Sequence, residues 1–304
     1  MSGLEGGIVC SLVTPFAADE SVDLDALGVL IDHQIAAGVH GLFLLGTAGE
    51  GLLLEAAERR QVAEFAAGRI GGRVPLAIHS GAADTRTTAA LAGHAAEIGA
   101  DATAVVSPYY FAYGEAELRD HFTRVALAAA PLPVYLYDNP ERVGYSLGFS
   151  MVHDLVRDVE NIRGVKDTGD SIARVTRYAT FDDPEVEVYT GNNLIVLPAL
   201  VMGAKGSVSA LSSAAPELFV RIYETWEKGD IEAARELQLT AARLQAILDG
   251  LPYVGGIKYL AARRGLPAGG MRRPLPEAGD AGSVIDERVA SLGGVLEPWL
   301  TPLG

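Results

Sequence analysis

Eight times along the chain, a short and almost unbroken apolar run gives way to a stretch of helical periodicity. The apolar runs are residues 8–13, 39–45, 74–79, 102–106, 133–137, 164–166, 186–189 and 207–210. The helical stretches between them are 23–37, 55–70, 85–98, 115–129, 149–159, 172–179 and 194–201. In the first of these, Leu24, Leu27, Ile31 and Ile35 recur at helical spacing. A strand that is apolar on both faces needs cover on both, which alternating helices supply to a parallel sheet. Eight such units in about 215 residues, with no long central break, predict a closed barrel rather than a doubly wound sheet. The expected fold is therefore α/β: a (β/α)8 TIM barrel over residues 1–215. Residues 216–304 carry further helical stretches near 217–228, 231–249 and 255–264, then a Pro/Gly-rich tail. They are expected to pack on the barrel as a C-terminal helical extension.

Composition narrows the function. Net charge is −15, which argues against nucleic acid and anionic membrane surfaces as partners. It leaves room for an anionic small molecule in a locally positive pocket. The single cysteine, Cys10, allows no disulfide within the chain and no Cys-rich zinc site, and reads as a small core residue. The N-terminus lacks a basic region followed by a long apolar stretch. The apolar run 194–204 is about half a membrane span and contains Pro198. The expectation is a cytoplasmic protein. His33, His40, His79, His94, His121 and His153 show no metal-ligand spacing, so no metal is expected. The run Gly46-Thr47-Ala48-Gly49-Glu50-Gly51 is neither a Walker loop nor a dinucleotide fingerprint.

The chain has four lysines. Lys228 ends a polar helix, Lys205 sits in a turn, and Lys258 falls in a helical pattern where it snorkels or pairs. Lys166 alone lies at the exit of an apolar strand. Burying an unpaired ammonium is costly, and desolvation favours the neutral amine that attacks a ketone to form a Schiff base. The bland alternative is an ion pair with Asp167 or Asp170. Active sites of such barrels lie at the C-terminal strand ends. Those ends also hold Thr47, Tyr109 and Tyr110, Tyr137 with Arg142 in its loop, Gly191-Asn192, and Val208 with Ser209. Hydroxyls there can relay protons, and the amides of the Thr47-Ala48-Gly49 turn can hold a carboxylate. Each residue alone has a structural reading: loop packing for Tyr109-Tyr110, core packing for Tyr137, capping for Thr47, a solvated charge for Arg142, turns for Asn192 and Asn193. Their joint position at one end of one barrel is the functional signal.

These stretches resemble the dihydrodipicolinate synthase / N-acetylneuraminate lyase family of Schiff-base aldolases. The matching segments are Thr14-Pro15-Phe16, Gly46-Thr47-Ala48-Gly49-Glu50, Pro108-Tyr109-Tyr110, Tyr137-Asp138-Asn139-Pro140-Glu141-Arg142, Gly164-Val165-Lys166-Asp167-Thr168 and Thr190-Gly191-Asn192. The resemblance implies a cofactor-free lyase that works through a covalent imine between Lys166 and pyruvate or a pyruvate-yielding substrate. Tyr137 is then the general acid/base. Thr47 links it to Tyr110, which in relatives with this relay comes from a neighbouring subunit. Thr47, Ala48, Arg142, Gly191 and Val208 contact substrate. The implied partners are a 2-oxo acid, an aldehyde and further copies of the chain, in a dimer of dimers.

Two features depart from the usual pattern. Ala48 stands where the family usually has a second hydroxyl. Asp167-Thr168 follows the lysine as in aldolases of 2-keto-3-deoxy sugar acids, where synthases tend to have Glu-Ala. Arg142, in contrast, matches the arginine with which synthases grip the aldehyde's carboxylate. The favoured substrate is a 2-keto-3-deoxy sugar acid. The alternatives are condensation of pyruvate with aspartate semialdehyde, a sugar-acid dehydratase using the same imine, and a non-catalytic 2-oxo acid sensor.

Overall fold

The computed structural model describes residues 3–279 and 281–303. Eight parallel strands close into a barrel in sequence order. They are β1 (Gly7–Ser11), β2 (Gly41–Leu44), β3 (Leu76–His79), β4 (Ala102–Val106), β5 (Val134–Asp138), β6 (Ile162–Asp167), β7 (Glu187–Thr190) and β8 (Gly206–Ser209). β8 pairs back onto β1 with Val208 opposite Val9.

The helices of the barrel are α1 (Leu24–Ala36), α2 (Ala56–Ile70), α3 (Thr85–Glu97), α4 (Glu115–Ala129), α5 (Pro140–Val143), α6 (Phe149–Asp158), α7 (Ile172–Tyr178), α8 (Val196–Val201) and α9 (Pro216–Glu227). After them come α10 (Ile231–Ile247), α11 (Tyr253–Arg263), α12 (Ala281–Ser291) and α13 (Glu297–Leu300). Aspartates start several: Asp23 accepts from the Ala26 N–H and Asp84 from the Thr87 N–H, each at 2.9 Å. Glu55 and Glu58 form a capping box at the start of α2, and Gly71 ends that helix in the left-handed conformation.

Strand alternation divides the core into two layers. One set of strand side chains fills the barrel interior: Val9, Phe43, Ala77, Ala104, Tyr135, Tyr189 and Val208. The other set packs outward against the helices with Leu42, Leu44, Val105, Leu136, Val165 and Val188. Leu4 closes the bottom of the barrel, its carbonyl accepting from the Tyr189 hydroxyl at 2.8 Å.

Three details differ from the sequence expectation. β5 runs one residue past Tyr137, so Asp138 belongs to the strand and is buried. Its loop holds the one-turn helix α5, begun by Pro140, whose fixed φ suits a first helical position. The Pro/Gly-rich tail contains α12, which buries Ile285 and Val289, four residues apart, while Gly282 lies close against the Tyr259 ring. Among the described residues, no helix is long and apolar enough to cross a membrane.

Candidate active site

β6 ends with Lys166 pointing into the barrel mouth. It is 5% exposed, and its Nζ lies 3.6 Å from the centre of the Tyr137 ring and 4.6 Å from that of Phe43. No carboxylate among the described residues forms an ion pair with it. The ion pair considered with Asp167 or Asp170 is not made. Asp167, the next strand residue, faces the opposite way and binds Arg174 Nε at 2.7 Å, and Asp170 is exposed. Burial therefore pulls the Lys166 pKa below the ordinary lysine value, with Tyr137 opposing.

Tyr137 is the ring neighbour of that amine on β5, directly paired with Lys166 in register. Its hydroxyl lies 3.2 Å from Thr47 Oγ1 and accepts from Asn139 Nδ2 at 3.0 Å. Burial raises its pKa, but the Lys166 charge and the hydrogen bonds from Thr47, Lys166 and Asn139 outweigh that and leave it lowered. The pair is thus coupled: each group makes the other's charged form less costly.

Thr47 belongs to the turn after β2. The Thr14 hydroxyl donates to the Gly49 carbonyl at 2.7 Å, and Glu50, held at a φ of 54°, anchors the far side. Glu50 is buried and pairs with Lys258 at 2.6 Å. Among the described residues no protein acceptor takes the Ala48 N–H, and the Ala48 side chain is buried beside the cleft. Gly191, after β7, keeps the space around the amine open. A Cβ there would lie 2.3 Å from Thr168 Cγ2 and 3.4 Å from Lys166 Cε.

Lys166, Tyr137, Thr47, Ala48, Arg142, Gly191 and Val208 all line one cleft of about 650 Å³. Val208 gives it an apolar wall, and Arg142 lies on α5 with its guanidinium largely exposed. Tyr110 is the exception. It sits in the loop after β4 at a φ of 79°, 89% exposed, its ring packed edge-on against Phe111 and outside the cleft. Thr168 enters the sequence reading only as a family feature, and sequence reasoning missed Asn139 and the cleft wall formed by Gln245 at the end of α10 and Tyr253 at the start of α11. Asn139 stood two residues after Tyr137, so its signal was proximity. Gln245 and Tyr253 carried none, because only the packing of the C-terminal helices brings them over the barrel mouth.

His79 is fully buried on β3. Its Nδ1–H donates to the Leu45 carbonyl at 3.0 Å, and Nε2 accepts from the Val106 N–H at 3.4 Å. Burial keeps the ring neutral. Among the described residues, no group of three or more His, Cys, Asp or Glu is placed to hold a metal ion.

What this arrangement can do is form an imine beside a proton-transferring phenol. Comparison with known proteins places the chain in a family. Residues 5–283 match the dihydrodipicolinate synthetase family. An uncharacterized DapA-like lyase of Halobacterium salinarum is 38% identical over 298 residues, covering 98% of this chain and 94% of the relative. The Escherichia coli K12 protein YagE carries the provisional name 2-dehydro-3-deoxy-D-gluconate aldolase. It is 35% identical over 301 residues, or 97% of each chain. Its crystal structure, described as a prophage protein of the dihydrodipicolinic acid synthase family in complex with pyruvate, superposes with a TM-score of 0.89 over 98% of this chain and 99% of that one, at 33% identity. A 4-hydroxy-tetrahydrodipicolinate synthase of Methanopyrus kandleri is 32% identical over 273 residues, covering 90% of this chain and 91% of the relative. The chain is a lyase that belongs to the dihydrodipicolinate synthetase family of pyruvate-dependent class I aldolases.

Proposed function

We propose that the chain reversibly cleaves a 2-keto-3-deoxy sugar acid to pyruvate and a hydroxyaldehyde, through an imine on Lys166. The observation that carries this reading is a contrast between two buried lysines. Lys258, 3% exposed, has Glu50 at 2.6 Å, whereas Lys166 pairs with no carboxylate among the described residues and opens on the cleft. A structural lysine is neutralised by a partner; one left unpaired and desolvated is primed as a nucleophile.

The neutral Lys166 amine adds to the substrate's C2 carbonyl, and loss of water leaves a protonated imine. Tyr137, as phenolate, takes the proton of the C4 hydroxyl. The C3–C4 bond breaks, its electron pair enters the imine as an enamine, and the aldehyde leaves. Tyr137 then returns its proton to C3, and hydrolysis releases pyruvate and the free amine. Thr47 orients the phenol. The Thr47 and Ala48 amides receive the 2-oxo acid's carboxylate, Gly191 leaves room for it, and Val208 packs on the carbon at C3. No metal or organic cofactor enters the reaction. A homo-oligomer, a dimer of dimers in the cytoplasm, is part of the reading, with an exposed Tyr110 reaching the relay of a neighbouring copy.

The substrate class rests on Ala48, which offers no second hydroxyl to the carboxylate, on Asp167-Thr168, and on the similarity to YagE. A second reading, condensation of pyruvate with aspartate semialdehyde, is favoured by Arg142 in the cleft wall and by the similarity to the synthase of Methanopyrus kandleri. The test is intact-mass spectrometry after pyruvate and borohydride, followed by peptide mapping and by assay of aldehyde release from a panel of 2-keto-3-deoxy sugar acids. One reduced pyruvyl group on Lys166 with aldehyde release supports the reading. No adduct, or an adduct on another lysine, overturns the mechanism. An adduct with turnover only in the condensing direction selects the second reading.

A further inference from the structure

Each of the two proposed catalytic residues is followed in its strand by an aspartate. β5 and β6 pair in register, Tyr137 opposite Lys166 and Asp138 opposite Asp167. Successive strand residues face opposite ways, so the two aspartates lie behind the barrel wall, back to back with the catalytic pair. Their side chains are 0% and 2% exposed. Like charges directly opposite on neighbouring strands repel, and burial strengthens the repulsion. Something must hold them.

One guanidinium does. Arg174 Nη2 of α7 donates to Asp138 Oδ2, and Arg174 Nε donates to Asp167 Oδ2 at 2.7 Å. Arg174 Nη2 also reaches the Tyr178 hydroxyl at 3.2 Å, and its guanidinium lies 4.9 Å over the Phe149 ring. The remaining contacts converge on the same strand ends. The Leu147 N–H donates to Asp138 Oδ2 at 3.2 Å and the Gly169 N–H to Asp167 Oδ1 at 2.8 Å. The Asp138 carbonyl accepts from the Thr168 N–H at 3.0 Å and the Thr168 hydroxyl at 2.8 Å. The Gly191 N–H closes on the Asp167 carbonyl at 2.7 Å, carrying the clamp to β7. Asp138 Oδ1 is buried with no hydrogen-bond partner among the described residues. Burial pushes that carboxyl up to about 7, with Arg174 opposing. The arginine is thus the sole countercharge that the two carboxylates share among the described residues.

We propose that Arg174 is a positioning residue: by bridging Asp138 and Asp167 behind the barrel wall, it sets the placement of the Tyr137 hydroxyl against the Lys166 amine. It touches no substrate. It acts through the two strand ends whose alternate side chains do the chemistry, and so the inference rests on the reading of Lys166 and Tyr137 given above. Lysine cannot replace it, because an ammonium is a point charge without the planar fork that spans two carboxylates.

The test uses the full-length Arg174→Lys and Arg174→Met variants and the double variant Arg174→Met/Asp138→Asn, each checked by thermal melting. Imine trapping with pyruvate and borohydride, and kcat and KM for cleavage, are measured well below the melting transition. Arg174→Lys is expected to stay folded and to cleave with little change in KM, while kcat falls about 10- to 100-fold, as a misplacement of about 1 Å would produce. The double variant, freed of the opposed charges, is expected to fold at least as well as Arg174→Met without recovering kcat. If Arg174→Met does not fold, Arg174→Lys and the double variant carry the test. A native kcat in Arg174→Lys with only a lowered melting temperature overturns the proposal, as does full recovery of kcat in the double variant. Lack of a Lys166 adduct in the wild-type protein instead defeats the underlying mechanism. A normal wild-type adduct together with native cleavage kinetics in Arg174→Lys defeats this inference alone.

Discussion

Replacing Lys258 by methionine isolates the cost of the buried pair behind the Thr47-Ala48 turn. Nζ of Lys258 and Oε1 of Glu50 are 2.6 Å apart, with side chains 3% and 0% exposed. Burial pushes the Glu50 carboxyl up and the Lys258 ammonium down, each opposed by its partner. Methionine fills similar space but leaves the carboxylate with one remaining donor, the Arg272 N–H at 2.8 Å. Removing one member of such a pair costs about 3–5 kcal/mol. At about 2–4 °C per kcal/mol, the melting temperature should fall by roughly 6–20 °C. The deficit depends on pH in a defined direction. Without its cation, Glu50 has a folded pKa further above its unfolded value of about 4.3. A group raised in this way contributes stability below its unfolded pKa and loses it as pH rises through the folded one. The gap between variant and wild type should therefore be smaller near about pH 5 than near about pH 8. The double variant Glu50→Gln/Lys258→Met, which buries no lone charge, should melt above Lys258→Met, with a coupling of about 0.5–3 kcal/mol. Circular dichroism melts of the wild type, the single variants Glu50→Gln and Lys258→Met, and the double variant at the two pH values decide it. A Lys258→Met protein that melts like wild type at both, or that loses more stability at the lower pH, would refute the reasoning.

Two further outcomes test the site itself. Tyr137→Phe keeps the ring against Lys166 but removes the hydroxyl bound by Thr47 and Asn139. It should lower kcat by about 10²–10⁴-fold while borohydride still traps pyruvate on Lys166, as steady-state kinetics and mass mapping would show; undiminished turnover would remove Tyr137 from the proton path. Ala48→Thr restores a hydroxyl beside the proposed carboxylate site and should tighten pyruvate by about 0.5–1.5 kcal/mol, roughly 2- to 12-fold, in the concentration dependence of imine trapping. Unchanged pyruvate affinity would place the carboxylate elsewhere.

How much of this was legible depended on how local each cause was. The barrel could be read because a strand buried on both faces must be apolar throughout, and the chain repeats that pattern eight times. Lys166 could be read because it breaks the rule at a strand end. The Glu50–Lys258 pair was only half legible: Lys258 was expected to snorkel or pair, but its partner is 208 positions away in the chain (258 − 50) and no local pattern names it. Gln245 and Tyr253 were illegible for the same reason, since the packing of α10 and α11, not their spacing, sets them over the cleft. α12 was hidden by its flanking glycines and prolines, although Ile285 and Val289 stood four apart within it.

The strand ends show where such reading stops for a physical reason. A parallel barrel cannot turn one residue into its mouth without turning the next into its wall. Tyr137-Asp138 and Lys166-Asp167 therefore each carry two tasks, and only the first is visible as chemistry in the sequence. The second depends on register: Asp138 and Asp167 face each other because β5 and β6 pair with Tyr137 opposite Lys166. Once that register is fixed, opposed buried carboxylates require a shared cation, and α7 supplies it from seven residues downstream of Asp167 as Arg174. The bland sequence reading of Asp167 as the counter-ion of Lys166 failed on this point alone. It treated neighbours in the chain as neighbours in space, whereas the pleat separates them and leaves the lysine unpaired, which is the condition its proposed chemistry needs.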